Sequence, residues 1–328
     1  GLYKKMSSSE NGEKVKEKSV GFGHVVIGPP GSGKSTYCAG VQQLLNGLGR
    51  KSCLVNLDPA NDALPYDASV DVCELIDARV AAETYDLGPN GALMFSMEYL
   101  LANSDWLVDQ LQQARKKGAQ YFVFDMPGQL ELFTHSNTIK ALLEILKEDA
   151  NLQLAALNLV DAHYCTDASK YISMLLVCLN TMIHLELPHV NVLSKMDLLE
   201  QYGELDFGLE YYTDVLDLEY LMQVLEKQPG SKRFHALNEA LIELVDDYAL
   251  IRFHTLDVQD KDSMVSLLKA LDTAGGYMYA DMDAVQQWTP QKPMSFNETN
   301  SSGSKQASSS NDALDPFHDV RIHERMPP

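Results

Sequence analysis

The segment GPPGSGKS at residues 28–35 constrains the fold of this chain more than any other, because it joins an apolar run to a helical pattern. Its spacing is that of a loop that binds phosphate between a strand and a helix. Glycines in such a loop permit backbone conformations and close approaches that a Cβ would block, so successive N–H groups can face phosphate oxygens. The predicted phosphate contacts are Gly28, Gly31, Ser32, Gly33, Lys34, Ser35 and Thr36.

Lys34 and Ser35 extend this prediction beyond a simple turn. A lysine at this position reaches the β- and γ-phosphates of a nucleoside triphosphate, and the following hydroxyl ligates Mg²⁺. A glycine-rich connection between a strand and a helix would account for the glycines, but not for a lysine followed by serine. The segment therefore predicts a bound triphosphate with Mg²⁺, and leaves open what the phosphate is used for.

Short β-branched runs alternate with longer helical stretches along the rest of the chain. Strands are predicted at 24–27, 52–57, 120–124, 154–160, 189–193 and 250–256, and helices at 36–48, 93–117, 138–148, 169–185, 234–248 and 261–274. This alternation predicts a three-layer α/β fold of the P-loop NTPase type, with a mostly parallel, doubly wound sheet and ligands at the carboxyl ends of its strands. A helix-prone acidic stretch, at about 199–232, predicts a helical insert.

Composition sets the domain boundaries. Residues 1–20 are polar and charged without apolar periodicity, which predicts a flexible leader, and the Ser- and Asn-rich residues 281–328 predict a disordered tail. One domain is then expected over residues 21–280.

The net charge of −20 disfavours direct binding of nucleic acid. The absence of an apolar run of about 18 residues predicts no membrane span, and five scattered cysteines are typical of reduced thiols in a cytosolic or nuclear compartment.

The segment FVFDMPGQ at 122–129 places chemistry at the end of a predicted strand. A carboxylate at the strand tip, Asp125, can hold Mg²⁺ through water, while the Gly128 N–H can contact a γ-phosphate. Gln129 is then placed to orient an attacking water. A strand that ends in Asp and Pro-Gly is also a common turn, so this prediction depends on the phosphate loop upstream.

Asp58 follows another predicted strand, in VNLDPAN, and presents a second carboxylate toward the expected γ-phosphate. It could bind a Mg²⁺ water or polarise the attacking water. The alternative is a turn in which Asp precedes Pro, which is a frequent arrangement.

The segment NVLSKMD at 191–197 is a strand followed by a variant of the NKxD guanine signature. Asp197 can accept two hydrogen bonds from the N1–H and amino group of guanine, a donor pair that adenine lacks. Lys195 can lie along the base and ribose with its aliphatic stem. Ser194 stands where the signature has Asn. The alternative is a purely structural role, in which Asp197 caps the end of a strand before a helix.

Together with a Gly-Pro-Asn segment at 88–90, these signals make the chain resemble the GPN-loop GTPases over nearly all of residues 21–280. The segments that carry the resemblance are GPPGSGKSTYC, VNLDPAN, LGPNGAL, MEYL, DMPGQLELFTH, ELPHVNVLSKMDLL and TLDVQDKDS. It implies a dimeric GTPase of the signal-recognition-particle and MinD-like (SIMIBI) class, which binds GTP or GDP with Mg²⁺. Relatives in that class often carry a second lysine early in the phosphate loop, where this chain has Pro29 and Pro30.

The resemblance also implies roles for residues and partners. Asn90 would enter the active site of a second subunit, and the catalytic set would be Lys34, Asp58, Gln129 and Asn90. Partners would be GPN-family GTPases in a homo- or heterodimer, subunits of RNA polymerases II and III, and assembly chaperones. The protein would be cytoplasmic and would shuttle to the nucleus while assisting polymerase assembly and nuclear import.

Two other functions share the phosphate loop. A kinase acting on a nucleoside or polynucleotide end usually has an arginine-rich lid, whereas residues 199–226 contain no arginine. A scaffold that binds nucleotide without hydrolysis would not need Asp58, Asp125 and Gln129. Both stay as alternatives to a GTPase.

Overall fold

A single parallel sheet organises the computed structural model, which describes residues 20–277 except residues 62, 204, 216, 217, 228–230 and 249. The predicted tail at 281–328 and the predicted leader at 1–20, apart from residue 20, lie outside the described residues. The strands are β1 (Gly21–Ile27), β2 (Ser52–Asn56), β3 (Val70–Asp71), β4 (Tyr121–Asp125), β5 (Leu152–Asp161), β6 (His189–Ser194) and β7 (Phe253–Thr255).

The order of these strands, β3-β2-β4-β1-β5-β6-β7, places β1 between β4 and β5. All neighbouring strands are parallel. The chain runs from β1 toward the β3 edge, returns to β4, and then crosses β1 to build the other half of the sheet. The switch point of the sheet therefore lies at β1, where an open parallel sheet holds its ligand.

Helices surround this sheet within the described residues. They are α1 (Lys34–Gly47), α2 (Ala78–Tyr85), α3 (Pro89–Ala102), α4 (Ser104–Lys116), α5 (Glu131–Thr134), α6 (Thr138–Glu148), α7 (Ala168–Leu185), α8 (Leu199–Tyr202), α9 (Leu209–Asp214), α10 (Glu219–Lys227), α11 (His235–Tyr248) and α12 (Lys261–Ala274). Shorter 3₁₀ turns lie at Val72–Glu74, Ala162–Thr166, Met196–Leu198 and Ser231–Phe234.

The two faces of the sheet carry separate hydrophobic clusters, because side chains alternate along each strand. Val25 and Ile27 of β1 pack in the cluster that contains apolar residues of α3, α4 and α6. Val26, between them, packs in the cluster formed with α1 and α12. A third cluster joins β6 and β7 to α7 and to α9, α10 and α11. The predicted three-layer α/β fold is confirmed, and its insert contains short helices.

The structure differs from the predicted elements in four places. The single helix expected at 93–117 is two helices, because Asn103 leaves the helical conformation and its side-chain amide donates to the Tyr99 carbonyl at 2.8 Å. Strand β3 was missed, because two residues give no periodicity. The strand expected at 250–256 is limited to Phe253–Thr255. Pro89 and Asn90, which precede the helix predicted from residue 93, form the first turn of α3.

Helix α7 is the one described helix that is long and apolar enough to span a membrane by length and composition. The sequence had suggested no such run. Half of the helix is buried within the protein, where it contributes Tyr171, Leu175 and Cys178 to the third cluster. A core helix passes the same test, so the finding is weak evidence for a membrane span.

Candidate nucleotide-binding site

The phosphate loop connects β1 to α1 at the switch point, and three glycines shape it. Gly28, Gly31 and Gly33 have φ angles of 142°, 77° and 94°, a region that favours glycine. A Cβ on Gly28 would lie 2.2 Å from the carbonyl oxygen of Leu159 at the end of β5. Gly33 is the N-cap of α1, so the N–H groups at the start of a 14-residue helix open toward the loop. This is the backbone geometry expected of a loop that binds phosphate between a strand and a helix.

Lys34 folds back over the loop that precedes it. Its Nζ donates to the carbonyl oxygens of Gly28 at 3.1 Å and Pro29 at 3.2 Å. Burial lowers the pKa of Lys34, while the nearby carboxylates of Asp125 and Asp58 act in the opposite direction. The ammonium therefore lies in the field of the buried Asp125 carboxylate and the half-buried Asp58 carboxylate.

The carboxylate of Asp125 ends β4 beside Ser35. Its Oδ2 accepts hydrogen bonds from the Ser35 hydroxyl at 2.8 Å and from the Tyr66 hydroxyl at 3.0 Å. Its Oδ1 is buried and has no hydrogen-bond partner. Burial raises the pKa of Asp125, and the hydrogen bonds from Ser35 and Tyr66 together with the charge of Lys34 partly offset that increase.

These groups fit a hard divalent cation. Mg²⁺ is commonly bound by one or two carboxylates, phosphate oxygens and waters, and takes oxygen ligands. Ser35 can offer a lone pair while it donates its proton to Asp125, and the unpartnered Oδ1 of Asp125 can accept from a coordinated water. The Asn61 amide also donates to the Ser35 Oγ at 3.3 Å, which orients that hydroxyl.

Asp58 lies two residues beyond the end of β2 and is held by its own turn. The Asn56 side-chain oxygen accepts from the Asp58 N–H at 3.1 Å, and the Asp58 Oδ1 accepts from the Ala60 N–H at 3.0 Å. Burial raises the pKa of Asp58, and Lys34 acts in the opposite direction. The structure thus brings the predicted carboxylate into the electrostatic environment of the phosphate loop.

Gly128 packs directly against that loop. A Cβ on Gly128 would lie 2.8 Å from the Lys34 Nζ and 3.1 Å from the Pro30 Cα. The Gln129 amide that follows donates to the Asn90 side-chain oxygen at 3.0 Å within the same chain. Asn90 is exposed, and Gly88 is the N-cap of its helix. The structure therefore brings Gln129 and Asn90 together, while the role of Asn90 in a second subunit stays a prediction.

A separate cavity of about 200 Å³ lies beside the start of α1. It is walled by the phosphate loop and α1, by the segment that follows β6, and by the segment that follows β7. The residues that line it are Ser32, Gly33, Thr36, Ser194, Lys195, Asp197, Leu256, Asp257, Val258 and Gln259. The predicted base-binding residues thus share one pocket with three of the predicted phosphate contacts, Ser32, Gly33 and Thr36.

Ser194 connects this pocket to the phosphate loop. Its buried hydroxyl lies 2.8 Å from the Ser32 carbonyl oxygen and 3.0 Å from the Val160 carbonyl oxygen, and it can donate to one of them at a time. A serine at this position therefore links the end of β6 to the loop. Lys195 adopts a left-handed conformation with φ of 59°, and its Nζ lies 2.7 Å from the Asp161 Oδ2.

Several residues of the site were not predicted from the sequence. Asp161 is the last residue of β5, and Asp257 lies two residues beyond the end of β7. The rule that strand ends of a parallel sheet meet at one edge, which singled out Asp58 and Asp125, applies equally to both. Tyr66 gave no such signal, because its contact with Asp125 spans 59 residues of sequence and it lies in a connecting segment.

This fold and site define a P-loop nucleotide-binding protein of the α/β class. A family described as "conserved hypothetical ATP binding protein" matches residues 26–277. The chain is 52% identical to GPN-loop GTPase 2 of Danio rerio, over 81% of this chain and 84% of that protein. It is 50% identical to GPN-loop GTPase QQT1 of Arabidopsis thaliana, over 80% of this chain and 88% of that protein. The chain belongs to the GPN-loop GTPase family.

A solved structure agrees with this fold. The apo form of a GTPase from Pyrococcus abyssi superposes with a TM-score of 0.62 at 23% sequence identity. The match covers 77% of this chain and 97% of that chain. It supports the arrangement of sheet and helices described above.

Asp197→Asn is expected to change the base that the pocket prefers. Guanine offers two donors to a carboxylate, whereas xanthine offers a carbonyl oxygen that an asparagine amide can pair with. Loss of a hydrogen bond to a charged group predicts GTP binding on the order of tenfold weaker or more, with improved binding of xanthosine triphosphate. Fluorescent nucleotide titration measures both affinities.

Asp149→Asn is the matched control, because it removes an equal charge from an exposed position at the end of α6. It should leave both affinities unchanged. An Asp197→Asn protein that keeps the preference of the wild type for guanine would show that Asp197 does not contact the base.

Proposed function

We propose that this protein is a GTP-hydrolysing switch that binds GTP and GDP with Mg²⁺. The observation that carries the proposal is the convergence of three features at one edge of the sheet: the glycine-shaped loop with Lys34, the Ser35–Asp125 pair, and the pocket that contains Asp197. The loop would bind the triphosphate, the Ser35–Asp125 pair would bind the cation, and the pocket would bind the guanine base. The names of the family relatives support the same activity.

Each residue then has a task that follows from its position. Lys34 would exchange backbone carbonyls for phosphate oxygens, and Ser35 and Asp125 would hold the cation. Bound Mg²⁺ supplies positive charge that offsets the charge developing on the β- and γ-phosphates. The backbone of Gly128 lies against the loop, which allows its N–H to contact a γ-phosphate, and Gln129 with Asp58 orients the attacking water.

Hydrolysis is expected to be slow in the purified protein. The family resemblance implies no arginine finger from the same chain to stabilise the charge of the transition state. Turnover should therefore be on the order of 10⁻⁴ to 10⁻² per second, as in unassisted GTPases. Release of inorganic phosphate from GTP and from ATP measures the rate and the base preference together. Turnover of tens per second without partners would contradict this mechanism, and transfer of the phosphate to an acceptor would favour the kinase alternative.

We also propose that the active form is a nucleotide-dependent dimer, formed with a second copy or with a related GPN protein. The Gly88–Pro89–Asn90 segment is exposed, which leaves it accessible to another subunit. Nearby on α2 and α3, Val80, Tyr85 and Met94 are 52%, 44% and 40% exposed. Apolar side chains exposed in one area are typical of an association surface.

The contact between Asn90 and Gln129 in one chain favours a second possibility, in which Asn90 acts on the site of its own subunit. Mixing Asn90→Ala with Gln129→Leu distinguishes the two. If Asn90 acts in trans, a mixed dimer contains one intact site and should hydrolyse GTP at about half the wild-type rate per dimer, since the two sites are related by symmetry.

The controls are the two variants alone, each of which should bind GTP with little hydrolysis. Nucleotide binding by each variant is measured separately, so that a folding defect is recognised. A mixture whose hydrolysis rate does not exceed the mean of the two separate variants would assign Asn90 to its own subunit.

At the level of the cell, we propose that the protein assists the assembly and nuclear import of RNA polymerase II and related polymerases. Its partners would be polymerase subunits and assembly chaperones, and it would shuttle between cytoplasm and nucleus. The support is the family resemblance. Forms locked in the GDP and GTP states should co-purify with different sets of these proteins, as identified by mass spectrometry, and recovery of no polymerase subunit or chaperone with either form would contradict the proposal.

A further inference from the structure

Tyr66 makes a contact in the cation half of the site that the proposed function does not use. It lies in the segment between β2 and β3, and its side chain is buried, with 8% of the residue exposed. Its hydroxyl donates to the Asp125 Oδ2 at 3.0 Å. Asp125 itself is only 2% exposed, so this hydrogen bond lies inside the protein.

The two oxygens of Asp125 have different environments. Oδ2 accepts from both Ser35 and Tyr66, while the buried Oδ1 has no hydrogen-bond partner. The terminal torsion angle of an aspartate side chain varies over a broad range. The two donors on Oδ2 therefore fix the orientation of the Asp125 carboxylate plane. A buried carboxylate oxygen without a donor is costly, which indicates that a donor is met there in the working site.

The ring of Tyr66 is held by the core and not by the site. It packs in the cluster that contains Tyr37, Cys38 and Val41 of α1. The same segment of chain carries Asn61, whose amide reaches Ser35. The segment between β2 and β3 thus orients both members of the Ser35–Asp125 pair from one side.

We propose that Tyr66 is a positioning residue for Mg²⁺, which holds Asp125 so that its Oδ1 faces a water of the bound cation. This inference rests on the proposed nucleotide–Mg²⁺ function. The Ser35 hydroxyl donates to Oδ2 of Asp125 and accepts from the Asn61 amide, which leaves a lone pair of its Oγ for the cation. Tyr66 touches neither nucleotide nor cation and acts through the carboxylate.

Tyr66→Phe keeps the ring and removes only the hydroxyl. We expect the dissociation rate of a fluorescent GDP in the presence of Mg²⁺ to rise on the order of tenfold, since a hydrogen bond to a charged group is lost. With Mg²⁺ removed by a chelator, the variant and the wild type should release GDP at the same rate. A Mg²⁺ titration of the dissociation rate should show a correspondingly weaker midpoint for the variant.

Tyr171→Phe is the matched control, because it removes another buried hydroxyl, which donates to the Tyr212 carbonyl at 2.8 Å in the third cluster. It should leave the Mg²⁺ dependence unchanged. Thermal unfolding of both variants without nucleotide reports any general loss of stability. Equal acceleration of GDP release by Tyr66→Phe with and without Mg²⁺, or the same Mg²⁺ midpoint as the wild type, would overturn the positioning role.

The wild type separates this inference from the function on which it rests. Wild-type protein that binds no GDP, or that holds GDP equally well with and without Mg²⁺, contradicts the proposed nucleotide–Mg²⁺ function itself. Wild-type protein whose retention of GDP depends on Mg²⁺, beside a Tyr66→Phe variant that behaves identically, contradicts only the role of Tyr66.

Discussion

The site depends on the close approach of the phosphate-loop backbone to the ends of neighbouring strands. At Gly28 a Cβ would collide with the Leu159 carbonyl of β5, and at Gly128 a Cβ would meet Pro30 and Lys34. Ser194 adds a hydrogen bond from the end of β6. The ends of three strands thus contact one loop. This contact sets the positions of the carboxylates and of the base pocket.

Much of this arrangement was predictable, because parallel strands bring their carboxyl ends to one edge and polar residues after apolar runs mark those ends. Strand ends pointed to Asp58 and Asp125, and the spacing of the guanine signature pointed to Asp197, without any contact information. Neither signal could locate Tyr66, whose partner is remote in sequence, or the break at Asn103, which depends on one side chain competing with the helix for a carbonyl. Interactions between elements, and single-residue departures from a periodic pattern, leave no trace in hydrophobic spacing.

The electrostatics of the site contrast with those of the whole protein. A chain with a net charge of −20 places the buried carboxylate of Asp125 and the half-buried carboxylate of Asp58 near the charge of Lys34. Burial disfavours the charged form of each group, while the opposite charges partly restore it. A bound cation would therefore stabilise the charged form of the carboxylates, and protons would compete with the cation for the same oxygens. Binding of a divalent ion and the protonation of this cluster are coupled quantities.

The start of α3 has a consequence for association. Pro89 fixes its own backbone angle, and the next turn is anchored by the buried Ala92 and Leu93. A flexible loop would lose about 1–2 kcal/mol of backbone entropy per residue when ordered by a partner. Here that loss has already occurred during folding. In the proposed dimer, Asn90 would reach the opposite subunit as part of a rigid helical terminus. Little backbone entropy would then be lost on association, so most of the free energy of the contacts made there would stabilise the dimer.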